Sequence, residues 1–205
     1  LTSIAIPDTV TSIGYGAFYK ATSLNSITFG ANSQLTSIGS YAFRNATALT
    51  SIAIPDTLTT IGDGAFYATS LNSITFGANS QLNTIGSYAF KNATALTTIA
   101  IPDTVTTFGS SAFYETTSLN SITFGANSQL NSIGDYAFRY ASALTTIAIP
   151  DTVTTIGTYA FYGTSNLISV TFGANSQLTI IERFAFYQAS ALTSIAIPDL
   201  VTSIG

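Results

Sequence analysis

Residues 1–23 read LTSIAIPDTVTSIGYGAFYKATS, and residues 24–48 read LNSITFGANSQLTSIGSYAFRNATA. Laid one above the other, the two stretches share a leading L-x-x-I-x-I/F, then T-S-I-G, then A-F. They differ in the middle, where PDT in the first becomes GANSQ in the second. The alternation runs to the end of the chain. Cutting before each leading Leu gives units at 1–23, 24–48, 49–70, 71–95, 96–118, 119–143, 144–166 and 167–191, with a partial ninth at 192–205. TFGANSQL returns unchanged at 28–35, 75–82, 123–130 and 171–178, so the copied block is a short and a long unit together. A near-perfect internal period of this size marks a stacked-repeat array.

One unit explains why the array must stack. Leu1, Ile4 and Ile6 form a short strand with its apolar side chains to one side. Pro7 has no N–H and ends the ladder. Val10 and Ile13 make a second inward pair, and Ala17 with Phe18 a third. Gly14 and its equivalents are expected at a turn of unusual φ. Alone, a unit cannot bury these groups. Stacked, each buried side chain gains about 1.5–3 kcal/mol before entropy is subtracted. Equivalent residues should then form columns. Phe18, Phe43, Phe66, Phe90, Phe113, Phe138, Phe161 and Phe186 are expected as a spine, on rungs about 4.8 Å apart. The 205 residues are expected to form a single array, on the order of 43 Å long.

The consensus L-x-x-I-x-I-P-x-x-V-T-x-I-G-x-x-A-F resembles the BspA-like, Treponema-type leucine-rich repeats, over the whole chain. The resemblance implies a β-rich, right-handed solenoid with parallel short strands on the concave side, and second strand-like segments, turns and 3₁₀ pieces elsewhere. It also implies bacterial or protist surface proteins, often adhesive. The family commonly has Cys three residues after the A-F Phe. Here Ala21, Ala46, Ala93, Ala141 and Ala189, or Thr116 and Thr164, stand there instead.

Composition narrows the function. Charged residues are only 7%, against roughly 25% in ordinary soluble domains. The basic residues are Lys20, Arg44, Lys91, Arg139 and Arg183, too few to neutralise a run of phosphates, which argues against nucleic acid. Cys and His are absent, which removes thiol nucleophiles, imidazole bases and the common soft-metal ligands. No enzyme and no cofactor is expected. No apolar run approaches the roughly 18 residues of a membrane span. The chain does not begin with Met and is expected to be a segment of something longer. Leu1 opens on a strand and Gly205 stops within a unit, so end caps would lie in flanking sequence or rungs would continue into another chain.

Several surfaces are candidates for contact. Asp8, Asp56, Asp103, Asp151 and Asp199 form a row on alternate units, about 9.6 Å apart, too far to share a Ca²⁺ whose ligands lie about 2.3–2.6 Å away. Their expected role is to shape the Pro-Asp corner by capping local N–H groups. The outward residues of the leading strands, Thr2, Ser3, Asn25, Ser26, Thr28, Asn72, Ser73, Thr75, Asn120, Ser121 and Thr123, make a neutral candidate binding face. The longer GANSQ corner should protrude on every second rung. Asn32, Gln34, Asn79, Gln81, Asn127, Gln129, Asn175 and Gln177 are candidates for that ridge, unless the asparagines turn inward to bond the corner backbone. Asn45 and Asn92 head possible glycosylation sequons. Tyrosines beside the spine are expected on the outer side. In unit 167–191 Glu182 replaces the repeat Gly, where a φ above zero would make the backbone relax.

Three readings follow. The first is an extracellular or cell-surface scaffold for adhesion, meeting a protein or polysaccharide partner. The second is a filament subunit that binds copies of itself end to end or laterally. The third is ice binding through Thr rows such as Thr11-Ser12, Thr59-Thr60 and Thr106-Thr107.

Overall fold

Eight of the nine leading L-x-x-I-x-I/F runs, all but that at 192–197, form a four-residue strand whose two-residue period sends Ile27, or Ile52 with Ile54, into the core. In the computed structural model, which describes residues 1–205, the chain winds into a parallel β-solenoid of nine rungs with no helix. The second inward segment of each unit is a two-residue strand. Nine of these, from Ser12–Ile13 to Ser203–Ile204, make one continuous parallel sheet. The leading strands pair differently. Ser3–Ile6 pairs with Ser26–Phe29, Ser51–Ile54 with Ser73–Phe76, Thr98–Ile101 with Ser121–Phe124, and Thr146–Ile149 with Ser169–Phe172. No ladder joins one such pair to the next. The pairing therefore follows the copied block: a short unit's strand bonds the strand of the long unit after it.

The A-F segment carries a ladder of another kind. The N–H groups of Gly16, Phe18 and Lys20 donate to the carbonyls of Ser40, Ala42 and Arg44 on the next rung, at 3.0, 2.7 and 2.8 Å. The alternate N–H groups, of Ala17, Tyr19 and Ala21, turn back to Gly14, Gly16 and Phe18 at 3.3, 2.9 and 3.1 Å. Across the two-residue strands the bonds point the other way, as from Gly39 N–H to Ile13 O at 2.7 Å. Buried backbone groups in this segment are thus paired without a helix.

That alternation requires left-handed residues at two places per rung. The pairs include Gly16 with Lys20, Tyr41 with Asn45, Gly64 with Ala68, Tyr88 with Asn92, and Tyr136 with Tyr140. Only Gly16, Gly64 and Gly163 are glycines. Each other residue there costs of order 1–3 kcal/mol, which the surrounding ladder must offset. The Gly of T-S-I-G has a different task from the one its sequence suggests, since its φ is not positive. A Cβ on Gly62 would lie 2.7 Å from the Ser40 N and 2.8 Å from the Gly39 carbonyl carbon. The residue is small because two backbones meet there. Glu182 occupies the same place without breaking the ladder: its N–H still donates to Ile156 O at 2.8 Å, and its φ is not left-handed.

The phenylalanine spine is complete. Successive rings from Phe18 to Phe186 stack at 5.2–5.4 Å between centroids and within 10° of parallel. Phe43, Phe66, Phe90, Phe113, Phe138 and Phe161 are fully buried. Ala46, Ala93 and Ala141 fill the place three residues on with no exposure. Thr69, Thr116 and Thr164 do the same and donate their hydroxyls to the Phe66, Phe113 and Phe161 carbonyls, at 2.9, 2.7 and 2.7 Å.

Two outcomes test this packing. Phe113→Ala should cost about 3–5 kcal/mol in denaturant unfolding, and Phe18→Ala, half-buried on the first rung, distinctly less. Gly62→Ala should lose about 1–3 kcal/mol although its φ is ordinary. Gly14→Ala, whose Cβ would meet nothing, should change stability by under about 0.5 kcal/mol.

Candidate functional site

The first corner is where short and long units differ, and its geometry is built from four residues of the motif. Ser33, Ser80, Ser128 and Ser176 turn inward and are buried. The hydroxyl of each accepts the N–H of the Leu two residues on, at 3.3–3.4 Å. Asn32, Asn79, Asn127 and Asn175 are exposed, as are Gln34, Gln81, Gln129 and Gln177. Serine thus takes the inward place, and the amides point out. The Thr of the following PDT corner locks the bend from above: Thr57 donates to Ser33 O and Leu35 O at 3.1 and 2.8 Å. Thr104 and Thr152 repeat this, and Leu200 breaks it on the last rung.

The glycine of GANSQ answers to the aspartate of the rung before. A Cβ on Gly30, Gly77, Gly125 or Gly173 would overlap Oδ1 of Asp8, Asp56, Asp103 or Asp151. Each of those Oδ1 atoms is buried and receives no hydrogen bond from the chain. The aspartates therefore do not cap their own corner, as the Pro-Asp pattern suggests. The corner closes through its backbone, Val10 N–H to Pro7 O at 3.0 Å, and the carboxylate lies on the neighbouring Gly. Asp63 and Asp135, at the second corner, are the ones that accept N–H groups, from Ser87 and Thr158, both at 2.7 Å.

The leading strands present Thr2, Ser3, Asn25, Thr28, Asn72, Thr75, Asn120 and Thr123 as exposed residues, with Ser26, Ser73 and Ser121 half-buried. At the second corner the Thr row has a structural use. Thr36, Thr59, Thr154 and Thr179 donate their hydroxyls to a carbonyl one rung back, at 3.0–3.1 Å. Asn45 and Asn92 are half-buried and left-handed, a conformation asparagine tolerates, and Asn92 Oδ1 is buried without a partner.

The feature that unit-by-unit reading overlooks is the residue after each spine Phe. Down the rungs it reads Tyr19, Arg44, Tyr67, Lys91, Tyr114, Arg139, Tyr162, Tyr187. Cations are sandwiched between tyrosines. Arg44 lies 5.8 Å from the Tyr19 ring centroid and 4.6 Å from Tyr67. Lys91 lies 5.8 Å from Tyr67 and 4.5 Å from Tyr114, and Arg139 5.6 Å from Tyr114 and 4.7 Å from Tyr162. Left-handed Tyr41, Tyr88, Tyr136 and Tyr159 flank this column, so ring contacts and cations link all eleven tyrosines on one edge. Arg139 donates to the Tyr140 hydroxyl at 3.4 Å, which holds that phenol below its ordinary pKa.

The BspA type leucine-rich repeat region matches residues 1–120 and 83–205, with 6 copies. The chain belongs to that family. No curated protein matches this leucine-rich repeat chain in sequence. Among solved structures, the pneumococcal vaccine antigen PcpA is 28% identical with a TM-score of 0.67, covering 100% of this chain and 58% of its own. This chain thus spans a little over half of that one. A leucine-rich cell surface protein from Faecalibacterium prausnitzii is 29% identical with a TM-score of 0.52, covering 100% of this chain and 69% of its own. The T. pallidum leucine-rich repeat protein shares the fold at 20% identity, with a TM-score of 0.73, covering 94% of this chain and 84% of its own. No helix is long and apolar enough to cross a membrane.

Arg139→Gln should make the Tyr140 phenol titrate at higher pH than in the parent chain, followed by NMR of ring-labelled tyrosine. An unmoved Tyr140 would mean that the guanidinium does not stabilise its anion.

Proposed function

We propose that this repeat protein is a non-enzymatic scaffold displayed outside the cell, holding a macromolecular partner along its length. The observation that carries the reading is the continuity of its surfaces. The amide ridge and the tyrosine–cation column each repeat over the whole array, and they present a line of small equivalent contacts. Extended partners such as proteins or polysaccharides suit a line better than a pocket does. The column is also rich in Tyr and Arg, the residue types over-represented at interface hot spots. Likeness to a vaccine antigen and to a cell surface protein supports an exterior location.

Location and contact are tested together. On intact producing cells the protein should be cleaved by added protease and should bind antibody. Confinement to the cytosol would refute the exterior role. Arg44→Gln with Arg139→Gln should lower capture of the purified chain on partner cells several-fold, with the folded fraction unchanged. Equal capture would move the contact to the ridge around Gln81 and Gln129.

A further inference from the structure

The net charge of −4 conceals a separation. All five basic residues stand on the tyrosine edge. Asp8, Asp56, Asp103, Asp151 and Asp199 stand on the first corner, a separate edge of the same rungs. The two rows share a period. The aspartates come from the short units, and Arg44, Lys91 and Arg139 from the long ones. In each row, neighbouring charges are therefore two rungs, about 10 Å, apart.

The shapes also correspond. Between protruding GANSQ corners the PDT corner is recessed. It leaves an open notch of about 400 Å³ around Asp103, walled by Gly77, Pro102 and Gly125. The same residues recur around Asp56 and Asp151. In these corners Oδ1 of Asp56, Asp103 and Asp151 is buried without a donor from the chain. On the opposite row Arg44 Nε and Arg139 Nε are buried without an acceptor. One acid, Glu115, stands beside Tyr114 within the cation column, and the two rows themselves lie on separate edges and do not pair within one rod.

We propose that the notches of one copy receive the cation column of a second copy, rod beside rod. A copy of this chain fits better than an unrelated anion. One duplicated block sets both spacings, so the row of Arg44, Lys91 and Arg139 stays commensurate with the aspartate row over three blocks, up to Tyr187 in the fourth. The contact joins two different edges, so it is heterologous. Each copy keeps one edge free, and association extends sideways into a sheet instead of closing as a dimer. Exposed ion pairs are individually weak, so the contact depends on repetition and is screened by salt. The inference stands apart from the exterior scaffold role: a protein found in either compartment could assemble this way.

Sedimentation velocity on the full chain tests it. At low ionic strength the average sedimentation coefficient should rise steadily with concentration, and about 1 M NaCl should return it to the monomer value. Asp56→Asn/Asp103→Asn/Asp151→Asn and Arg44→Gln/Lys91→Gln/Arg139→Gln should each remain monomeric at low salt. Their equimolar mixture should form a complex that does not grow, because only one complementary edge pair remains. A wild type that stays monomeric at low salt, a cation-deficient variant that still assembles, or a mixture that does not pair would each overturn the proposal. Zero-length carbodiimide cross-linking of mixed light and ¹⁵N-labelled wild type needs no variant. It should join Lys91 of one copy to Asp56, Asp103 or Asp151 of another, and inter-copy links to Asp63 or Asp135 in their place would refute it.

Discussion

Rung-to-rung backbone hydrogen bonding is the constraint on which the other features rest. It operates on two segments of each turn with opposite sense, upward through Phe18 N–H and downward through Gly39 N–H. Bonds of 2.7–3.1 Å along the A-F ladder, as from Phe18 N–H and Tyr159 N–H, leave almost no room between successive backbones. The repeat glycine is therefore a spacer where two main chains touch, and its absence of Cβ matters more than its freedom of φ. The left-handed residues have the converse origin. They are needed because every second N–H of the A-F segment must point along the axis, and most of them are ordinary L-residues. Ring stacking at 5.2–5.4 Å is the side-chain consequence of the same approach.

Those strained positions help explain where the tyrosines are. A left-handed residue flanking the spine directs its side chain away from the core, where a large aromatic group can cover the ladder and meet its neighbours. Tyr136 and Tyr159 stack at 5.3 Å, and Tyr159 stacks on Phe184 at 5.0 Å. Where glycine stands instead, the ring of the preceding rung takes the space: a Cβ on Gly64 would lie 2.6 Å from the Tyr41 ring. Cations then enter between tyrosines on alternate rungs, where flat ring faces attract them and like charges are kept two rungs apart.

Much of this was legible in the sequence. Columns follow from exact repetition, so the spine, the inward leucines and the small residues replacing Cys could be placed by register alone. Three features could not. The serine of GANSQ and its asparagine are both small turn formers, and only the finished corner shows that Ser33 is buried while Asn32 is exposed. The Asp8–Gly30 contact joins different units, so each motif read singly gives a local explanation for a residue whose partner is a rung away. The pairwise ladder of the leading strands is a third case, because the strands of both unit types carry the same apolar pattern. The Tyr–cation column was present in the letters throughout. It emerges only on reading down one position across the copies.

A surface made of columns is changed in a particular way. A substitution in one rung alters one contact of several, and its effect on a partner is small. A substitution that precedes duplication is copied into every block and alters a whole edge. In this chain Arg44, Lys91 and Arg139 keep the charge at the copied place in three of the four blocks while the residue type varies, with Tyr187 in the fourth, and Asp56, Asp103 and Asp151 do not vary at all. The two rows differ in what the fold demands of them. A carboxylate seated against a glycine backbone tolerates only one shape, whereas a cation between tyrosine faces needs its charge and a flexible stem. The acidic edge is thus fixed by packing, and the basic edge is the one free to be tuned.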